Sequence, residues 1–258
     1  MPTKLVGNLK VGYRTGNSPL RKEKPALFMI HGSGGNSELW SLQLEFLDKE
    51  INIIALDLPG HGEAGKESFS SISGYSDWLY EVLKDWFQQP IYLMGHSMGG
   101  AIVQEIAIND NNHLLKGVIL VGTGAMLKVA PQFLGGLLKD FENTVDKIVS
   151  YAYSKNTKKE LIMEGARMMK GPGPIVVHND FLACDMFDRR KDLKRLSVPC
   201  LIICGEDDKL TPPNLSRFLN EHIPVSTLKI IPNAGHMVMI ERYKEVNTAI
   251  LEFIHEIG

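Results

Sequence analysis

The feature that most constrains the fold is a series of six short apolar segments, each closed by glycine or proline. They occupy residues 25–32, 51–60, 91–97, 117–124, 200–206 and 228–236. Segments with helical periodicity lie between them at 40–50, 72–89, 99–110, 214–222 and 246–257. Segments that are apolar on both faces are typical of strands buried in a parallel sheet. The alternation therefore predicts an α/β fold with helices on both faces of a mostly parallel sheet. Weak alternation at 5–16 predicts an antiparallel hairpin at one edge.

Residues 125–192 break this alternation, because they have helical patterns but no strand-like segment. The helical patterns span 132–154 and 158–170, and a glycine–proline break follows at 171–174. We therefore predict a core made of residues 1–124 and 193–258, with residues 125–192 inserted into it as a helical cap, or lid.

Composition limits the partners and the compartment. The chain has 28 Lys and Arg against 30 Asp and Glu, so no basic excess favours nucleic acid or anionic lipid. The N-terminal residues lack a signal-peptide pattern, and no apolar run approaches the ~20 residues of a membrane span. Of the three cysteines, Cys200 and Cys204 lie in an apolar segment, which is typical of buried reduced thiols. We expect a cytoplasmic monomer or homodimer without nucleic-acid or membrane partners.

The sequence Gly95-His96-Ser97-Met98-Gly99 follows an apolar segment and precedes an amphipathic helix. Serine becomes a nucleophile only with a neighbouring base and a fixed, exposed hydroxyl. A G-x-S-x-G turn between strand and helix supplies that geometry, and its glycines let the strand and the helix pass closely. Ser97 is therefore the candidate nucleophile.

The base and the acid are expected after the nucleophile, in loops at the carboxyl ends of strands. His236 follows the last apolar segment, and the acidic run Glu206-Asp207-Asp208 follows the segment before it. Spacing alone does not choose among the three acids.

Backbone N–H groups are expected to bind the oxyanion that forms during acyl transfer. One is the N–H of Met98, beside the nucleophile, and the other is that of Ser33 in the glycine-rich loop 31–36. Four further residues are predicted to contact the substrate: Gly32, Gly34, Met126 and Met237.

The chain resembles the α/β-hydrolase superfamily along nearly its whole length. The motifs HGSGGN (31–36), DLPGHG (57–62), GHSMGG (95–100), GEDDKLTPP (205–213) and NAGHMVMIE (233–241) occur in that superfamily's order. The resemblance implies an eight-stranded, mostly parallel sheet and a Ser97–Asp208–His236 triad, with the cap inserted after the sixth strand. It implies no metal and no organic cofactor.

A serine at this turn favours acyl transfer, and we expect a carboxylesterase-like hydrolase acting on a small, mostly apolar ester. The alternatives are a carbon–carbon bond hydrolase or a menaquinone-pathway-type enzyme of the same fold, or a small-molecule receptor that retains the triad. Carbon–carbon bond hydrolases commonly have tryptophan where this chain has Met237. The menaquinone-pathway relatives typically have arginine near the start of the helix after the nucleophile, where this chain reads GGAIVQ. If the substrate were a carboxylate, Arg167 or Arg189 would be the first candidates to bind it.

Overall fold

The computed structural model of the chain describes residues 2–6, 9–17, 19–21, 23–65, 67–86, 90–110 and 113–258. Within these residues, eight strands form one sheet. They are β1 (Thr3–Val6), β2 (Leu9–Thr15), β3 (Ala26–Ile30), β4 (Asn52–Asp57), β5 (Ile91–His96), β6 (Leu115–Val121), β7 (Cys200–Gly205) and β8 (Ser226–Ile231). Their spatial order is β1-β2-β4-β3-β5-β6-β7-β8, and all pairings from β4 to β8 are parallel.

The predicted α/β fold is confirmed, including the antiparallel edge. β1 pairs with β2, and β2 with β4, in antiparallel register. Positions 7 and 8 of the predicted hairpin lie outside the described residues.

The helices cover both faces of the sheet or lie between β6 and β7. They are α1 (Ser41–Leu47), α2 (Ile72–Trp86), α3 (Met98–Ile108), α4 (Pro131–Lys139), α5 (Phe141–Ala152), α6 (Lys159–Lys170), α7 (Pro174–Met186), α8 (Pro213–His222), α9 (Val238–Glu241) and α10 (Tyr243–Ile257). No described helix is long and apolar enough to cross a membrane.

Strand alternation divides the core into two layers. Phe28 and Ile30 of β3 pack with α2, α3 and α8, whereas Leu27 and Met29 pack with α1 and α10. Because successive side chains point to opposite faces, an apolar strand fills both layers at once. The buried strands thereby hold their carboxyl ends, and the loops that follow them, in fixed positions.

Residues 125–192, which we call the cap, contain helices α4 to α7. The single helical pattern predicted over 132–154 is two helices, because the backbone leaves the helical conformation at Asp140 (φ −149°, ψ 69°). Three cap helices each bury part of one face, but α6 has no buried residue. That the cap acts as a lid stays a prediction.

Candidate active site

The candidate nucleophile lies on the turn between β5 and α3. Ser97 alone separates the two elements, and its φ of 54° with ψ of −117° is a strained backbone conformation for a residue other than glycine. Its N–H donates to the carbonyl of Val121 (2.9 Å), and its carbonyl accepts from the Thr123 hydroxyl (2.9 Å). The end of β6 and the residues after it therefore hold the turn in place.

The two glycines of the motif are required by close backbone contacts. A Cβ on Gly95 would lie 2.2 Å from the carbonyl oxygen of Gly99. A Cβ on Gly99 would lie 2.5 Å from the carbonyl oxygen of Ile30 in β3. Real Cβ atoms do not approach an oxygen so closely, so only glycine lets α3 begin directly against the sheet.

Gly99→Ala is expected to lower the free energy of unfolding by about 1–3 kcal/mol, because the added methyl group forces the backbone apart. A urea titration measures this change. Gly135→Ala is the matched control, since Gly135 is exposed in helix α4 and an added Cβ there meets no atom within 4 Å. Alanine at 135 is expected to be neutral or stabilising by up to about 1 kcal/mol. Equal losses at both positions would show that the contact with β3 does not restrict residue 99.

His236 and Asp208 form a buried pair beside this turn. Asp208 follows β7, His236 follows β8, and His236 Nδ1 lies 2.9 Å from Asp208 Oδ2. The other carboxylate oxygen accepts the N–H groups of Leu210 (2.9 Å) and Thr211 (2.8 Å). Burial alone would raise the pKa of Asp208, but the His236 ring and the Thr211 donors outweigh it, so the pKa is lowered. The carboxylate therefore stays ionised and faces the imidazole.

Thr211 also contacts both members of the pair. Its hydroxyl donates to Asp208 Oδ2 (2.8 Å) and lies 3.1 Å from His236 Nδ1. Sequence reasoning missed this residue, although it lies in the GEDDKLTPP motif, three positions after Asp208.

The structure distinguishes among the three adjacent acidic residues, Glu206, Asp207 and Asp208, by their hydrogen-bond partners. The carboxylate of Asp207 accepts a hydrogen bond from the Ser154 hydroxyl of the cap (2.8 Å), and its N–H donates to the Ala234 carbonyl (2.8 Å). Of the three acids, Asp208 is the one hydrogen-bonded to His236.

His96 and Glu241 fix the loop that carries His236. The buried ring of His96 lies 4.5 Å from the ring of His236, and its Nε2 donates to the His236 carbonyl (3.1 Å). Burial and the neighbouring His236 hold the pKa of His96 well below its usual range, so this ring is neutral. The carboxylate of Glu241 accepts from the Gly235 N–H (2.7 Å) and from the cap's Ser154 N–H (2.8 Å). The histidine loop is thus held by the core and by the cap.

The predicted oxyanion donors lie together next to the turn. Within the described residues, the backbone N–H groups of Ser33 and Met98 have no hydrogen-bond acceptor. The Ser33 hydroxyl contacts Met98 Sδ at 3.7 Å, and a Cβ on Gly32 would lie 3.0 Å from Ser97 Cβ. The Gly34 N–H is already occupied, because it donates to the carboxylate of Asp180 (2.8 Å).

A cavity of about 430 Å³ lies between the core and the cap. Of the residues predicted from the sequence, those that line it are Gly32, Ser33, Gly34, Ser97, Met126, His236 and Met237. Asp208 and Met98 are buried outside its lining.

Most of the remaining cavity wall is apolar. Cap side chains that contribute to it include Leu127, Phe133, Met168, Met169 and Phe181. Two lysines also line it, Lys128 and Lys209, and both are exposed. Arg167 and Arg189 do not line it, and Arg189 is instead paired with Glu105 (2.7 Å).

Among the described residues, no group of three or more His, Cys, Asp or Glu side chains is placed to hold a metal ion.

Comparison with known proteins gives concordant results. Residues 27–249 match the α/β hydrolase family. A thermophilic esterase of known structure is 34% identical, with a TM-score of 0.87 over 100% of this chain and 98% of that chain. The pimeloyl-[acyl-carrier protein] methyl ester esterase of Nitrosomonas europaea is 24% identical over 82% of this chain and 88% of that protein.

A relative with a different activity is similar to the same extent. The (E)-2-((N-methylformamido)methylene)succinate hydrolase of Acinetobacter baylyi is 24% identical over 88% of this chain and 89% of that protein. The family match, the esterase neighbour and the eight-stranded sheet agree with one another. The chain belongs to the α/β-hydrolase family and is a hydrolase.

Proposed function

We propose that the chain is a serine esterase that cleaves a small, mostly apolar carboxylic ester through an acyl-enzyme on Ser97. The observation that carries this proposal is the buried His236–Asp208 hydrogen bond at the wall of the cavity that Ser97 also lines. A nucleophile, a base and a group that orients the base are the parts that acyl transfer needs.

The first half of the reaction forms the acyl-enzyme. Asp208 accepts a hydrogen bond from the Nδ1–H of His236, which leaves Nε2 free to take the hydroxyl proton of Ser97. The Ser97 oxygen attacks the ester carbonyl, and the new oxyanion accepts hydrogen bonds from the N–H groups of Ser33 and Met98. His236 then gives its proton to the alcohol, which leaves.

The second half repeats these steps with water. His236 removes a proton from the water that attacks the acyl carbonyl, and the same two N–H groups bind the second oxyanion. Collapse of that intermediate breaks the bond to Ser97, releases the carboxylic acid and returns the proton to Ser97. Ionised Asp208 stabilises the imidazolium in both halves.

The side chains of the cap in the cavity wall support a role for the cap in substrate selection. Its methionines and phenylalanines give the cavity an apolar surface, and methionine adapts to varied apolar shapes. Each methylene buried against such a surface adds up to ~0.8 kcal/mol to binding. We therefore propose short- to medium-chain neutral acyl groups as substrates. The cytoplasmic location and the monomeric or homodimeric state stay predictions.

The p-nitrophenyl ester of butyric acid is expected to have at least about tenfold higher kcat/KM than the mono-p-nitrophenyl ester of succinic acid. The two acyl groups are similar in size, but the second brings a carboxylate into a mostly apolar cavity whose two lysines are exposed to solvent. Steady-state kinetics on both esters measures the ratio, and multiple turnover separates an esterase from a receptor that retains the triad.

A preference for the charged ester would contradict this substrate class and favour a carboxylate-binding hydrolase of the same fold. Lys128→Met and Lys209→Met would then identify the binding cation, because both lysines line the cavity. Arg189→Met is the matched control outside the cavity lining.

A further inference from the structure

A fully buried carboxylate of the cap is bonded to the loop that carries the oxyanion donor. Asp180, on α7, has 0% exposure. One of its oxygens accepts the N–H of Gly34 (2.8 Å) and lies 2.9 Å from Nε2 of His61, and the other accepts the hydroxyl of Tyr75 (2.6 Å). A buried carboxylate is costly unless donors satisfy it. These three donors all come from the core, so the core provides a site that α7 fills.

Asp180 and His61 form a buried hydrogen-bonded pair. Burial opposes protonation of His61, but the facing Asp180 outweighs it and raises the pKa of His61. Burial and the neighbouring His61 lower the pKa of His31 to about 4, so that ring is neutral. Both nitrogens of the His61 ring face acceptors, because Nδ1 lies 3.1 Å from the Pro59 carbonyl and Nε2 lies 2.9 Å from Asp180, so the ring donates to the carboxylate.

Hydrogen bonds on both sides of Ser33 fix the direction of its N–H. The carbonyl of Gly32 belongs to the same peptide unit and accepts from the Gly35 N–H (3.0 Å) and from His31 Nδ1 (2.8 Å). Because the peptide is planar and trans, holding that carbonyl aims the Ser33 N–H the opposite way. The next peptide unit is held by the bond from Gly34 N–H to Asp180.

Gly34 is suited to this contact by its backbone. Its φ of +66° is a conformation that glycine adopts readily, and a Cβ there would lie 2.7 Å from Cγ of Met169 on α6. The loop is therefore covered by α6 and bonded to α7, and no side chain at residue 34 separates it from the cap.

We infer that Asp180 is a positioning residue for the oxyanion loop, residues 31–36. The oxyanion hole, formed by the N–H groups of Ser33 and Met98, then has the geometry that binds the oxyanion only while α7 is docked on the core. This inference rests on the proposed esterase function and adds a role for the cap beyond shaping the cavity. Asp180 does not line the cavity, and it acts on the reaction through the Gly34 peptide.

The experiment compares Asp180→Leu and Asp180→Asn with the neighbouring variant Asn179→Leu. Asn179 also joins α7 to the core, through a hydrogen bond to the Ser68 hydroxyl (3.1 Å), and among the described residues it has no hydrogen bond to the loop 31–36. The measured quantity is the ratio of kcat for an ester to kcat for the corresponding thionoester, in which sulfur replaces the carbonyl oxygen. Sulfur is a poor hydrogen-bond acceptor, so this ratio reports the oxyanion hole and does not change with the fraction of folded protein.

Asp180→Leu is expected to lower kcat for the ester by about 10²-fold, to leave KM within about threefold, and to lower the ester-to-thionoester ratio by at least about tenfold. Asp180→Asn keeps an acceptor for Gly34 and is expected to retain most of the ratio. Asn179→Leu is expected to leave the ratio unchanged. If Asp180→Leu does not fold, Asp180→Asn and Asp180→Ser are compared with Asn179→Leu, and serine is expected to lower the ratio.

Two outcomes would overturn the positioning role. One is an unchanged ratio in every folded Asp180 variant, and the other is an equal drop in Asn179→Leu. Each variant is also treated with a fluorophosphonate that reacts with activated serine. Labelling of Ser97 together with an unchanged ratio refutes the role of Asp180 alone, whereas no labelling of Ser97 in the wild-type protein refutes the esterase itself.

Discussion

Ser97→Ala is expected to lower kcat by about 10³-fold or more for any ester that the wild-type protein hydrolyses, while the protein stays folded. The substitution removes the attacking oxygen, and the strained turn is held by backbone atoms of residue 97 that alanine retains. Steady-state kinetics and a thermal denaturation curve measure the two effects.

The control for Ser97→Ala is Cys184→Ala, which removes a thiol from the cavity wall. Cys184 lines the cavity, 3.7 Å from the Ser33 hydroxyl, but burial raises the pKa of its thiol to about 12. A protonated thiol is a poor nucleophile, so this variant is expected to stay within a few-fold of wild type. Full activity in Ser97→Ala, or loss of activity in Cys184→Ala alone, would contradict the assignment of the nucleophile.

Asp208→Asn is expected to lower kcat by up to about 10⁴-fold, because an amide at this position no longer holds His236 with Nε2 free to accept a proton. Asp207→Asn is the matched control on the adjacent residue. The Ser154 hydroxyl still has an amide oxygen to donate to in that variant, so only a mild loss is expected.

Steady-state kinetics on the two aspartate variants, with the same ester, gives the comparison. Equal losses at positions 207 and 208 would show that the His236–Asp208 hydrogen bond is not what orients the base. A large loss in Asp207→Asn alone would assign the orienting role to Asp207, which joins the cap to the loop that carries His236.

The parts of the site that sequence alone predicts are those with a local backbone signature. Gly95, Ser97 and Gly99 form a strand–turn–helix pattern, and the structure has β5, the strained turn and α3 at those positions. The loops with Ser33, Asp208 and His236 follow apolar strands, and parallel strands bring their carboxyl ends to one edge of the sheet. Their proximity follows from topology, which the alternation of strands and helices indicates.

Other parts depend on contacts between distant segments, which periodicity does not contain. Helix α7 buries Val177, Asp180, Ala183 and Cys184 at helical spacing. Because Asp180 is charged, the hydrophobic pattern of the sequence does not indicate that this face is buried. Asp180 is buried because Gly34, His61 and Tyr75 converge on it in the fold.

The most direct test of the proposed mechanism is mass spectrometry of the protein after reaction with a fluorophosphonate. One adduct per chain is expected, on the peptide that contains Ser97. Ser97→Ala is expected to take up no label, and His236→Ala to be labelled far more slowly, since no base then removes the hydroxyl proton. Stoichiometric labelling of another residue, or equal labelling rates with and without His236, would contradict the mechanism with Ser97 as nucleophile and His236 as base.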